Sequence, residues 1–87
     1  MRIYDNYNDY TYAQGKNEEE LIQNWNQNAE KNFDWILENL GSFNDKEDKN
    51  IEVLFERCTE KQRSLAGIEY IINEVNKIEV NNIKIYK

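Results

Sequence analysis

The sequence predicts an α+β domain, mostly helical, in which two to three helices pack with a small antiparallel sheet made from the chain ends. Three observations predict it. Apolar residues recur at three- and four-residue steps between residues 21 and 40 and again between 65 and 75. β-Branched and aromatic residues gather near both termini. A chain of 87 residues with one Cys and no internal repeat makes one small domain, 1–87, with a correspondingly small core.

Taken in order, Arg2-Ile-Tyr-Asp-Asn-Tyr-Asn-Asp-Tyr-Thr-Tyr-Ala-Gln-Gly15 reads as one or two short strands turned by Asn and Asp. Asn17 then stands as an N-cap, with Glu20 at the capping-box spacing and Glu18 to Glu20 suiting the positive end of a helix. Leu21, Ile22, Trp25, Ala29, Phe33, Ile36, Leu37 and Leu40 form its apolar stripe and Gly41 its stop, which places a helix over Glu18–Leu40.

Ser42–Asn50 is a polar connection, and Asp45 with Asp48 can cap a second helix from about Lys46 that aligns Ile51, Leu54, Phe55 and Cys58. A strand competes there, because Ile51, Val53 and Phe55 also alternate with Glu52, Leu54 and Glu56. Thr59 and Gln62 repeat the capping spacing ahead of a third helix. It runs to about Asn76 with Leu65, Ile68, Ile72 and Val75 on one side, and the two helices can also be one. Lys77–Lys87 reads as a hairpin about Asn81-Asn82, with Val80 opposite Ile83, Ile78 opposite Ile85 and Glu79 opposite Lys84. The rival arrangement runs the third helix through Ile78 and pairs only Ile83–Tyr86, with Arg2–Tyr4.

Composition excludes much chemistry. With no His there is no Ser-His-Asp triad, no Cys-His pair and no imidazole metal ligand. Gly15, Gly41 and Gly67 are too scattered for a phosphate-cradling loop, and Cys58 reads as a buried core thiol without a base to activate it. Asp45 to Glu56 has acids at the first, third and last positions of a 12-residue window, but Lys49 and Asn50 spoil it as a calcium loop. Neither a cofactor, a metal nor an enzymatic role is expected.

The net charge of −6 is uneven: residues 1–50 hold 11 acids against 5 bases, and residues 51–87 hold 6 of each. This disfavours direct binding to nucleic acid or to an anionic membrane and favours a cationic partner. No apolar run reaches bilayer length and no signal-peptide core is present, so a cytoplasmic setting is expected. Asn, Lys, Ile and Tyr make up 38 residues while Gly, Ala, Pro and Arg make up nine, the bias that an A/T-rich genome imposes through its codons.

Two constellations are candidates for contact. Glu30, Asp34 and Glu38 recur every four residues and form an acidic row along the first helix, with Glu20 near the same line and Lys31 interrupting it. The competing reading is a solvated face. Six acids on a helix of about 36 Å imitate at most a short phosphate stretch, since duplex DNA of that length carries roughly 21 charges. The tyrosines Tyr4, Tyr7, Tyr10 and Tyr12, interleaved with Asn and Asp, have the chemistry of an adhesive surface, with Tyr7 and Tyr10 as contact candidates, or else half of them cover the core. Trp25 lies within the apolar stripe of the first helix. Trp35 lies roughly 120° from its centre, as an interface anchor or a second packing face.

These features together lead to an expectation of protein binding. The profile of small size, acidity, absent catalytic groups and A/T-rich coding is similar to that of anti-CRISPR and antirestriction proteins from phages and plasmids. That likeness implies a small acidic inhibitor or modulator covering a basic, nucleic-acid-binding surface of a host protein. The alternative is a non-enzymatic structural or accessory subunit that homodimerises, since a small core without staples gains from burial against a second copy.

Overall fold

The computed structural model describes residues 1–39, 63–78 and 83–87, and shows two helices packed on one face of a three-stranded antiparallel sheet. The strands are β1 (Arg2–Asp5), β2 (Tyr10–Gln14) and β3 (Ile83–Tyr86), and the helices are α1 (Glu18–Asn39) and α2 (Leu65–Ile78). The expected second helix from Lys46, the helix-or-strand choice at 50–58, the Thr59/Gln62 cap, the Gly41 stop and Cys58 all lie outside the described residues.

The first strand is central, giving the order β2-β1-β3. Four residues join β1 to β2, and the buried Asp5 carboxylate organises them. Its Oδ1 accepts from the N–H groups of Tyr7 (2.9 Å) and Asn8 (3.1 Å), and its Oδ2 from Asn8 Nδ2 (2.8 Å). Asp9 closes the turn at φ 51°, a conformation that Asp adopts more readily than most residues.

Pairing of β1 with β2 slips between Ile3 and Tyr4. Ile3 faces Ala13 while Tyr4 faces Thr11, so Tyr12 is the extra residue of a bulge. Tyr12 and Ala13 are in consequence both buried although they are neighbours in a strand. The Tyr12 carbonyl accepts a hydrogen bond from Asn32 Nδ2 (3.1 Å), a side chain that α1 buries fully.

Gly15 closes the step from β2 to α1, its N–H bonded to the Met1 carbonyl (2.9 Å). A Cβ on Gly15 would stand 2.5 Å from the Leu21 nitrogen and 2.9 Å from the Glu20 carbonyl carbon. Only glycine lets the first turn of α1 approach the sheet this closely. Asn17 caps that turn as expected, its Oδ1 accepting from the Glu20 N–H (2.9 Å). Leu21, Trp25, Ala29, Phe33 and Ile36 are buried as the periodicity predicts.

The second described helix begins at Leu65. Ser64 caps it, with Oγ accepting from the Gly67 N–H (3.1 Å), and Ile68, Ile71, Ile72 and Val75 are buried. Ile71 was not part of the predicted stripe, which is wider than the four residues named.

At the C-terminus the rival arrangement is the one observed, with the last helix running through Ile78 and Ile83–Tyr86 paired with the first strand, and the hairpin is not formed. Ile78 is helical, so it does not face Ile85; β3 instead pairs antiparallel with β1, Ile3 opposite Ile85 and Asp5 opposite Ile83. The physical reason is the second edge of β1. A hairpin at 77–87 would satisfy itself and leave that edge open, whereas β3 on β1 gives the central strand hydrogen bonds on both sides and adds Ile83 to the core. Asn76 Nδ2 donates to the Ile83 carbonyl (3.3 Å) and ties α2 to the strand.

Two substitutions test this packing. Trp25→Ala removes a side chain 2 % exposed at the centre of the core, and a loss of about 3–5 kcal/mol should leave little cooperative unfolding in a thermal melt. Gly15→Ala forces backbone against backbone at the β2–α1 step and should cost about 1–3 kcal/mol by urea denaturation, although Ala is the better residue for an open chain site.

Candidate functional site

The two surfaces of the layered fold carry opposite charge. On α1 the side chains of Glu30, Asp34 and Glu38 are all exposed, on the side of the helix away from the sheet, and none has a cation partner among the described residues. Lys31 is exposed beside them. The acidic row predicted from spacing is therefore one continuous solvent-facing line.

Trp35 is not free-standing. Its ring stacks on Tyr10 with centroids 4.0 Å apart and planes at 16°, and meets Tyr12 edge-on at 5.9 Å. Tyr10 in turn meets Tyr12 at 4.8 Å, and Tyr12 lies 6.2 Å from Trp25. The two tryptophans, about 80° apart around α1, are thus joined through β2 into one aromatic cluster. Of the two roles the angle leaves open for Trp35, interface anchor or second packing face, the packing contact is the one seen. Of the aromatic contact candidates Tyr7, Tyr10 and Trp35, Tyr7 alone is exposed, at 79 %, in the β1–β2 turn. Tyr10 is half-buried, and burial raises its hydroxyl above the ordinary range.

The other surface was not singled out from the sequence. On the sheet face away from the helices, Arg2 lies between Gln14 and Tyr86, and Tyr4 between Thr11 and Lys84. The Arg2 guanidinium lies 4.1 Å above the Tyr4 ring and 5.9 Å from that of Tyr86, and the two rings meet edge-on at 6.1 Å. The Tyr4 hydroxyl donates to the Asp9 carboxylate, which holds it above its ordinary pKa. At the end of this face a shallow cleft of about 600 Å³ brings Lys16 and Lys87 beside Arg2 and Tyr86, with Glu20 on its wall. Strand alternation, applied to the rival pairing of Ile83–Tyr86 with Arg2–Tyr4, places Arg2, Tyr4, Lys84 and Tyr86 on this one face.

Among the described residues no group of His, Cys, Asp or Glu is arranged to hold a metal ion, and no helix is long and apolar enough to cross a membrane. Comparison with protein families, with curated proteins and with solved structures gives no match to this chain.

Two measurements follow. Trp35→Ala should lower stability by about 1–3 kcal/mol, and a double-mutant cycle with Tyr10→Ala should show coupling of about 0.5–1.5 kcal/mol. Additive losses would mean that the stack holds no energy of its own.

The second measurement is alkaline. Burial, and next the Asp5 carboxylate, push the Tyr12 hydroxyl far above the tyrosine range, and no protein group bonds it among the described residues. An unfolded tyrosine ionises near about 10, so above that pH the unfolded chain has lost a proton that the folded chain keeps, and stability falls as pH rises. Tyr12→Phe should shrink the drop in urea midpoint between about pH 9 and 11, with no loss at pH 7 because no hydrogen bond is removed.

Proposed function

We propose that this chain is a small acidic protein-binding modulator, non-enzymatic and cytoplasmic, that covers a basic nucleic-acid-binding surface of a host protein. The observation that carries this reading is the row Glu30, Asp34 and Glu38: exposed, evenly spaced, and unpaired with any cation of its own chain among the described residues. Carboxylates held at intervals of about 6 Å on a rigid helix match Arg and Lys side chains that otherwise contact successive phosphates. Tyr7, exposed at the turn tip, supplies apolar area with a polar end for the margin of such a contact. The acidic, A/T-biased profile supports a phage or plasmid origin, in the manner of anti-CRISPR and antirestriction proteins.

A second reading, an accessory subunit that associates with itself, is favoured by a separate observation, the basic sheet face opposite the acidic helix.

The test of the first reading is capture of a nucleic-acid-binding protein from host lysate, followed by competition. The chain should displace a labelled oligonucleotide from the captured protein. Asp34→Lys with Glu38→Lys should weaken that competition several-fold and flatten its salt dependence while leaving the circular dichroism intact, because charges at the margin of an interface act chiefly through on-rate and screening. Equal potency and an equal salt slope in the double variant would remove the acidic row from the contact.

A further inference from the structure

Few of the described surface charges are paired with one another. Lys77 with Glu74, 2.9 Å apart on α2, is the only ion pair among the described residues. The cations of the sheet side, Arg2, Lys16, Lys84 and Lys87, form no ion pair among the described residues, although Glu20 lines the cleft at that end and Asp9 holds the Tyr4 hydroxyl, and Glu30, Asp34 and Glu38 on the helix side form none either. Arg2 in particular is held in place by its rings, while none of its N–H groups is hydrogen-bonded among the described residues. A guanidinium seated over an aromatic face loses less freedom on receiving a carboxylate than an unsupported one does.

We infer that the open sheet face is a docking surface for a second copy of this chain, which presents the acidic row of its α1. The spacings agree. Successive carboxylates of the row lie about 6 Å apart along the helix. Arg2 and Lys84 lie on neighbouring strands two positions apart, about 8 Å from each other, with Lys16 and Lys87 continuing the cationic surface past Arg2. Tyr86, 37 % exposed between them, offers the flat contact against which a helix surface packs.

A single strand of nucleic acid fits the same face less well. One side of the Tyr4 ring is already occupied by Arg2, the Tyr4 and Tyr86 rings meet edge-on instead of forming a stacking platform, and a net charge of −6 repels a polyanion at range.

Because the two faces lie on opposite sides of the two layers, the contact is heterologous and adds copies head to tail. It shares the acidic row with the function proposed above, so self-association and partner capture compete for α1. The sheet face is only three strands wide, and like net charge opposes approach. The association is therefore weak, with a dissociation constant on the order of 10⁻⁴ M.

The experiment is amide NMR with sedimentation of the full chain between about 10 µM and 1 mM at physiological salt, repeated near 1 M salt, where screening reaches about 3 Å. Concentration-dependent shifts should appear on β1, β3 and the outer side of α1 together, and vanish at high salt. Arg2→Glu should abolish them, whereas Lys77→Glu, which changes the net charge equally, should not. Mixing Arg2→Glu/Lys84→Glu with Asp34→Lys/Glu38→Lys should restore association between two variants that are each monomeric alone.

A monomer throughout, shifts confined to one face, or no rescue in the mixture overturns the inference. So does an Arg2- and Lys84-dependent complex with a labelled 12-nucleotide strand that is tighter than self-association, which would assign the face to nucleic acid. Partner capture by the Arg2→Glu/Lys84→Glu chain should be unimpaired, so loss of self-association and loss of the proposed function are read separately.

Discussion

Strand β1 is the constraint on which the rest of the structure depends. It is only four residues long, yet it is hydrogen-bonded on both edges, to β2 from the N-terminal side of the chain and to β3 from the C-terminal side. Ile3 and Asp5 point inward from it, one at the floor of the core and the other anchoring the turn that returns the chain as β2. The helices have a surface to pack on only once both pairings exist, because a two-stranded ribbon is marginal in water. In a chain with so small a core, joining the ends in one sheet makes folding depend on contacts of high sequence separation.

The second device is the bulge at Tyr12. Removing one residue from register turns two consecutive side chains inward and brings a tyrosine ring between the two tryptophans of α1. The same displacement places a backbone carbonyl where a buried asparagine of α1 can bond it. Asparagine serves repeatedly in this way: Asn24 donates to the Gln14 carbonyl (2.6 Å), Asn32 to that of Tyr12 and Asn76 to that of Ile83. What composition registers as codon bias thus includes the polar joints between helices and strands.

Charge follows from the layering. Once the apolar sides of α1 and of the sheet are turned toward each other, their polar sides face opposite directions; acids predominate on one, bases and tyrosines on the other. The low number of ion pairs within the described chain is the counterpart of that separation. The surfaces left unneutralised are those available to other molecules, and this is the physical basis of both functional readings.

Local pattern in the sequence specifies the α+β class, the start and cap of α1, its buried residues Leu21, Trp25, Ala29, Phe33 and Ile36, and the exposed row Glu30, Asp34 and Glu38. All of these depend on periodicity or on a hydrogen bond within a few residues, which one stretch of chain specifies alone. The tertiary structure decided the rest. Whether Ile78 joins a helix or a hairpin depends on β1, some seventy residues away. What covers Trp35 depends on a bulge in a strand that local pattern cannot place. That Arg2, Lys84 and Tyr86 share a surface follows only from pairing the two ends of the chain, since long-range register is set by mutual burial and edge satisfaction, and neither is written in neighbouring residues.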